Sequence, residues 1–272
     1  MTIAITGAEG FLGKAVVNCL RAKKIPYTIF DFKKHNLLKP KTLKSLVSDK
    51  DIIIHLAAIN RGDNIELCKT NILGTISLLE AAAKYAPSSK IIFASTFQVY
   101  LKNSLYGLSK KTGEDLIIQY TKKTNLKGII FRISNIYGPG GKPFYNSVIA
   151  TFAHLIKTGK ELRVNGNGSQ KRDYLYVDDV ADAIIKAVHY TPKNPAEIFD
   201  ICSGKETSLN SILKILKEVS GKNFKVEYNK DVKENRWPIS NKTFNKATEF
   251  LNWKPKMPLS KGLKNVMNFY ED

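Results

Sequence analysis

Tyr106-Gly107-Leu108-Ser109-Lys110 sets a phenol and an ammonium four residues apart at the start of a helical stretch, hence on one face of it. A tyrosine that titrates near ~10 exchanges protons poorly at neutral pH. A neighbouring lysine favours the phenolate and draws that value down. Ten positions before the tyrosine, Ala94-Ser95-Thr96 closes an apolar β-branched run. A hydroxyl at that strand end can hydrogen-bond the same substrate oxygen that Tyr106 protonates. The chemistry such a set performs is general acid–base catalysis at a carbonyl or alcohol. The Y-x-x-x-K spacing alone is common on helix surfaces, so its weight depends on what accompanies it.

What accompanies it is Thr6-Gly7-Ala8-Glu9-Gly10-Phe11-Leu12-Gly13, between the first strand and the first helix. A chain that turns tightly there, brings its backbone close to a pyrophosphate and packs a helix on a sheet selects glycine at each step, and the helix N-terminus supplies N–H groups for phosphate. The spacing is G-x-x-G-x-x-G rather than G-x-G-x-x-G. Asp31 follows 18 positions after Gly13 at the end of the second strand, where a carboxylate can accept hydrogen bonds from a ribose diol and repel a 2′-phosphate. That favours NAD, while Lys33 and Lys34 directly after it keep NADP open. With a nicotinamide beside the Tyr106 phenol, hydride moves at carbon while the proton moves at oxygen.

These groups need elements to hold them. Residues 3–6, 27–31, 51–56, 90–94 and 127–133 are short apolar runs, and 12–23, 42–47, 65–85 and 108–124 between them carry helical periodicity. The alternation predicts an α/β fold, a doubly wound parallel sheet covered on both faces, with ligands at the carboxyl ends of its strands. From about Ser134 the texture changes to a Gly/Pro loop, NIYGPGGKP. A helix over about 145–157, a turn-rich stretch at 165–169 and a helix opening near Asp178 follow. A strand at 197–201, a helix at 208–220, a strand at 224–228 and a mostly helical end complete the pattern. The expected division is a dinucleotide-binding domain over 1–135, to which 173–201 partly returns, and a smaller substrate-binding lobe over 136–272.

Composition narrows the class. The 272 residues are 43% hydrophobic and 25% charged with 17 Gly and 10 Pro, which excludes a collagen-like, disordered or disulfide-stapled chain. No apolar run approaches the ~20 residues of a membrane span, and the N-terminus lacks a signal-peptide pattern. Cys19, Cys68 and Cys202 are too scattered for a zinc site or a disulfide framework. Reduced thiols, a cytoplasmic location and no metal are expected. His35, His154 and His189 lack partners at ligand spacing, His55 is expected as a packed strand-end residue, and Asp178-Asp179 reads as a helix N-cap. Lys+Arg 43 against Asp+Glu 24 gives +19, but only six of the basic residues are arginine and no basic run exceeds two or three. A lysine-coated surface that steers an anionic small molecule is expected, not a nucleic-acid or membrane partner.

TGAEGFLG, HLAA at 55–58, TNILGT at 70–75, AST, YGLSK, FRISNIYGPGG and RDYLYVDDVADAI, in that order, resemble the extended short-chain dehydrogenase/reductase family, the NAD-dependent epimerase/dehydratase type. ATEFLNWKPKMPLSKGL resembles the family's usual ending, so nearly the whole chain is covered. The resemblance implies a Rossmann-type sheet with a small C-terminal α/β substrate lobe, and a catalytic trio of Thr96, Tyr106 and Lys110. It implies a cofactor site of Gly7, Gly10, Phe11, Leu12, Gly13, Asp31, Phe32, Leu56, Ala57, Ala58, Asn71 and Ser95, joined by Tyr106 and Lys110. It gives a nucleotide-diphosphate sugar to Thr96, Asn135, Asn146, Arg172 and Arg236. Arg172 also suits the task on physical grounds, as a bidentate fork for diphosphate oxygens, with a surface ion pair to Asp173 or Asp178 as its alternative. Arg236 sits in NRWPISN, where the family commonly has Arg-Pro-Gly-Asp, which weakens that assignment.

Within the family, Phe97-Gln98 after Thr96 replaces the acid pair of dehydratases. The short segment at 31–51, the ten positions from Thr96 to Tyr106 and the run GKPFYNSVIATF resemble 4-keto-reductases, especially the reductase half of bifunctional enzymes making UDP-N-acetyl-6-deoxy-hexosamines. Those enzymes carry a further cupin domain for 3-epimerisation, and the sequence stops before one, so no C3 chemistry is expected. Reduction of a UDP-4-keto-6-deoxy sugar is the leading expectation. Asp31 and the RDY motif equally suit a 4-epimerase with tightly held NAD. A non-catalytic NAD(P)-binding sensor or scaffold is the third reading. By analogy, helices at 65–85 and 108–124 could pair across a homodimer.

Overall fold

The β-branched runs of the first half fold as parallel strands buried on both faces. The computed structural model describes residues 1–101, 103–145, 147–229 and 244–271. The first elements are β1 (Ile3–Thr6), α1 (Phe11–Ala22), β2 (Tyr27–Ile29), α2 (Lys44–Val47), β3 (Ile52–His55), α3 (Asn64–Cys68), α4 (Gly74–Tyr85), β4 (Lys90–Thr96), α5 (Leu105–Lys123) and β5 (Lys127–Ile133). After them come β6 (Asn135–Tyr137), α6 (Val148–Lys157), β7 (Leu162–Asn165), β8 (Lys171–Tyr176), α7 (Val177–His189) and β9 (Ala196–Ile201). The last are β10 (Glu206–Ser208), α8 (Leu209–Ser220), β11 (Val226–Asn229), α9 (Phe244–Leu251) and α10 (Leu259–Glu271).

Six strands form one parallel sheet in the order β2-β1-β3-β4-β5-β9. Every residue of β1 and β3 is buried, as a strand covered on both sides requires. The chain steps from β1 to β2 through α1 in one direction and from β3 to β5 through α4 and α5 in the other. Right-handed crossovers therefore put α1 on one face and α4 and α5 on the opposite one. There Ala4, Ile53, Ile91, Phe93 and Ile130 pack with Leu43, Leu46, Leu78, Leu79, Ala82 and Ile117. The strand order reverses between β1 and β3, the switch point beside which such sheets open a crevice at their carboxyl edge.

The structure departs from the sequence pattern at informative places. β2 stops at Ile29, because the Asp31 carbonyl turns back to accept the Lys34 and His35 N–H groups (3.0 and 2.8 Å). The expected helix over 65–85 is split into α3 and α4 by a π turn, Lys69–Leu73. The stretch 42–47 is only a 3-10 turn, Pro40–Leu43, followed by α2. α5 begins at Leu105, three residues before the expected start, because the Ser104 side chain caps it by accepting from the Gly107 N–H. Asp179 lies inside the first turn of α7 and does not cap it; its carboxylate accepts the Lys256 and Met257 N–H groups, both at 3.0 Å.

Two units are distinguished by their internal contacts. Among the described residues, 1–133, 181–201 and 244–253 make up the first, and 134–180, 202–229 and 254–271 the second. Residues 173–180 belong with the second because β8 pairs with β6 and β10 there, while β9 and α9 belong with the first. The second unit has a three-stranded sheet, β10-β8-β6, and a parallel pair, β11-β7. Its core joins Tyr137, Phe152, Leu162, Tyr176, Ile212, Leu216, Leu263 and Val266, from strands and from α6, α8 and α10. Among the described residues no helix is long and apolar enough to cross a membrane.

Candidate active site

The glycine turn is as tight as its sequence demands. Gly7 has φ +74°, and a Cβ there would stand 2.6 Å from the Ala57 backbone nitrogen. A Cβ on Gly13 would lie 2.0 Å from the Gly7 carbonyl oxygen. The first requirement brings the β1 turn against the residues after β3, and the second seats α1 on its own turn. Gly10 caps α1 without a side-chain hydrogen bond, and the first turn of α1, opening at Phe11 and Leu12, contains no acidic residue. That helix end is therefore electropositive, with N–H groups directed outward, a cradle fitted to a dinucleotide pyrophosphate.

The other cofactor candidates of this unit flank the switch point. Leu56, Ala57 and Ala58 follow β3 directly; Leu56 donates to the Thr6 carbonyl, and Ala57 to the Thr6 hydroxyl at 3.3 Å. At the end of β2 the Asp31 carboxylate accepts the Lys33 N–H at 2.9 Å, with the Lys34 ammonium 3.8 Å away. Phe32 is 80% exposed, its ring edge-on to Phe30.

Thr96 is the last residue of β4, and its hydroxyl accepts the Gln98 N–H (3.2 Å) in opening the 3-10 turn Phe97–Tyr100. Ser104 then donates to the Gln98 side chain at 2.7 Å and caps α5. The two turns press together at Gly107, where a Cβ would fall 2.2 Å from the Gln98 carbonyl oxygen. Gly107 is thus a requirement the motif reading missed: it lets the first turn of α5, bearing the half-buried Tyr106, lie against the turn that Thr96 opens. One helical turn on, Lys110 is 1% exposed, with its ammonium 3.9 Å above the Phe93 ring centre. Burial lowers its pKa to about 7, against the opposing pull of Glu114. Among the described residues no hydrogen bond engages that ammonium, so its donors are open to a ligand.

Beneath the trio lies a buried network the sequence did not reveal. Glu114, fully buried on α5, accepts from the Arg132 guanidinium (2.6 Å at the shortest) and from Ser95 Oγ (2.6 Å). Arg132 also donates to Tyr100 Oη, which donates to Asp200 Oδ1, both at 2.9 Å. The Ser95 side chain therefore helps to hold α5 in place.

A second chain of bonds runs from β1 to α5. Asn71, in the π turn, brackets the backbone of Ile59 and donates to Ser109 Oγ at 2.9 Å, and Ser109 donates to the Tyr106 carbonyl. Thr75 gives its hydroxyl proton to the Asn71 carbonyl. His55 must then donate from Nε2 to Thr75 (3.0 Å) and accept at Nδ1 from Thr6 (2.7 Å). Burial, with the charge of Lys110 added, lowers the His55 pKa to about 3. His55 is a neutral packing residue.

In the second unit Asn135 opens β6 and donates to the Asp173 carbonyl at 3.2 Å. Arg172, on the adjacent β8, is half-buried and donates from Nη1 to the Lys171 carbonyl. Asp173, one of the partners considered for Arg172, accepts from Ser134 Oγ, from Ser203 through N–H and Oγ, and from the Lys205 N–H. Asn146 and Arg236 lie outside the described residues. Among the described residues no cluster of His, Cys, Asp or Glu could hold a metal ion.

Comparison with known proteins identifies the family. The model of the NAD dependent epimerase/dehydratase family matches residues 3–202. A Methanocaldococcus jannaschii protein provisionally named UDP-glucose 4-epimerase is 33% identical over 307 aligned positions, 99% of this chain and 98% of the relative. A Pseudomonas aeruginosa UDP-2-acetamido-2,6-beta-L-arabino-hexul-4-ose reductase is 30% identical over 189, covering 69% of this chain and 50% of the reductase. The crystal structure of Thermotoga maritima UDP-glucose 4-epimerase with UDP-glucose superposes with a TM-score of 0.86 at 28% identity, over 99% of this chain and 98% of that one. Solved structures with the same fold are complexed with NAD or with NADPH. The protein belongs to the NAD dependent epimerase/dehydratase family, NAD(P)-dependent enzymes that modify nucleotide sugars.

Proposed function

We propose that the protein reduces the 4-keto group of a UDP-linked 4-keto-6-deoxy sugar, using NADH in preference to NADPH. Tyr106 gives its phenolic proton to the substrate oxygen as the carbonyl becomes an alcohol, and Thr96 hydrogen-bonds that oxygen. Lys110 favours the phenolate through its charge and offers its open donors to the ribose beside the nicotinamide. The coenzyme, when bound, supplies the hydride. The glycine turn and the α1 N-terminus would hold its pyrophosphate, and Asp31 its adenosine ribose, where the carboxylate disfavours a 2′-phosphate. Asn135 and Arg172, with Asn146 and Arg236 by their place in the motifs, would hold the sugar's diphosphate.

The observation that carries reduction is the β2–β3 crossover, cut down to a 3-10 turn and the single turn of α2, with Phe32 exposed at its start. A reductase must exchange its coenzyme at every turnover, and a thin wall over the adenosine end suits exchange. An epimerase regenerates its coenzyme in place and gains from retaining it. The residues after Thr96, Phe97 and Gln98, offer no carboxyl group for dehydration, and Gln98 is committed to Ser104. The second reading, a 4-epimerase, is favoured by the Methanocaldococcus relative, which matches from end to end.

Coenzyme economy separates the two. With a UDP-4-keto-6-deoxy-N-acetylhexosamine, near-ultraviolet absorbance of the reduced nicotinamide should disappear one-for-one with sugar reduced. Interconversion of UDP-glucose and UDP-galactose without added coenzyme would replace the reductase assignment by the epimerase.

A further inference from the structure

Asp31 is held from behind by a histidine. Its backbone N–H points at His35 Nδ1 (2.9 Å), and its carbonyl takes the Lys34 and His35 N–H groups. The imidazole is buried, tilted against the Phe30 ring with 5.4 Å between ring centres, and its Nε2 lies 3.1 Å from Ser45 Oγ on α2. A backbone N–H can only donate, so Nδ1 must be bare and the ring proton must sit on Nε2, toward Ser45. Only the neutral ring in that tautomer fits. With so short a β2–β3 crossover, the imidazole joins the turn carrying Asp31 to the helical turn below it.

We propose that His35 is a positioning residue of the coenzyme site: its bare Nδ1 holds the Asp31 backbone so that the carboxylate meets the adenosine ribose, and proton uptake by the ring releases it. This rests on the reading of Asp31 as the ribose carboxylate. A proton on Nδ1 would confront the Asp31 N–H with a second donor, and the turn would have to open. The charged groups facing the ring are Asp31 and Lys34 of its own turn; the residue after β2 and the helix α2 present the neutral Phe30 and Ser45. Burial lowers the His35 pKa, Asp31 opposes this and Lys34 adds to it, so the ring stays neutral at physiological pH. The coenzyme's adenosine end is therefore tied to an acid-sensitive latch remote from Tyr106.

The test is NADH affinity of the full-length protein, followed by coenzyme fluorescence from about pH 7.5 to about pH 5.5, above the carboxylate range. The wild type should weaken progressively as the pH falls and the ring takes up its proton, toward a limit of roughly tenfold, the size of one lost hydrogen bond. His35→Asn, whose side-chain oxygen can accept near the Nδ1 position without titrating, should bind as the wild type does at high pH and lose the acid weakening. His35→Leu should bind roughly tenfold more weakly across the range. Acid weakening that persists in His35→Asn overturns the proposal, and does so even if His35→Leu fails to fold. Wild-type affinity in a folded His35→Leu overturns it as well. Asp31→Ala is the control: if it binds NADH as tightly as the wild type, the assignment of Asp31 fails first, whereas a weakened Asp31→Ala beside unaffected His35 variants condemns the latch alone.

Discussion

Tyr106 is asked to move one proton, and removing only its hydroxyl isolates that task. Tyr106→Phe keeps the ring and the helix, so coenzyme binding and thermal stability should hold while kcat falls by ~10²- to 10⁴-fold, the usual worth of a placed general acid. Unchanged turnover would return the protein to the non-catalytic reading. Lys110 makes a prediction of a different kind. Its pKa is about 7 in the fold, depressed by burial, against ~10.4 in an unfolded chain. Between those values the unfolded chain holds more protons, so stability must rise with pH across the window. Below about pH 7 the ammonium is charged in both states and its burial penalty is complete. Lys110→Met should therefore gain stability relative to the wild type in acid, and the gain should shrink as pH rises toward 10.4. Urea midpoints of both proteins measured across the window check this, and a pH-independent difference would refute it. Tyr106, Lys110 and Thr96 were legible because one helical turn and one strand end define them. His35 was set aside because its partner Ser45 stands at no recognisable spacing, and a hydrogen bond to a backbone N–H leaves no mark in composition.

At the scale of elements, α5 is placed by its buried face. Glu114 lies two helical turns beyond Tyr106 and meets Arg132 on β5 and Ser95 on β4, so one carboxylate ties the helix to two strands of the sheet. Loss of one partner leaves the other as a buried unpaired charge. Arg132→Met should cost ~3–5 kcal/mol, and Glu114→Leu combined with Arg132→Met should recover most of it, since an apolar pair needs no desolvation of charge. Chemical denaturation of the two variants decides; a double variant no better than the single would mean the network acts through geometry, not charge. The pairing was invisible in the sequence because its members stand 18 positions apart on different elements. The π turn at Lys69–Leu73 was invisible for another reason: its extra residue disturbs a helical period too little to register, yet it sets Asn71 between Ile59 and Ser109. The strands were plain by contrast, since burial on both faces leaves an unbroken apolar run that nothing else in the chain imitates.

For the molecule as a whole, the strand alternation sufficed for the sheet, because parallel strands with right-handed crossovers admit few arrangements. The partition of the later chain was harder to read. Its strands are short and serve three sheets, and β9 belongs with strands laid down more than sixty residues earlier. Association, raised from the sequence only by analogy, now has a physical argument. Ile65 on α3, Leu73 in the π turn, and Leu105 and Leu108 on α5 are all exposed, and these elements adjoin one another in the first unit. Single exposed apolar side chains are ordinary, but four on neighbouring elements make a patch that soluble monomers seldom leave uncovered. A second copy meeting it about a two-fold axis would cover both patches at once. The protein should therefore sediment at about twice its 30.5 kDa chain mass. Ile65→Glu with Leu108→Glu should give a folded monomer, because the new carboxylates would face one another across the axis. A wild type that remains monomeric at high concentration leaves the patch without this partner, and a double variant that still dimerises places the interface elsewhere.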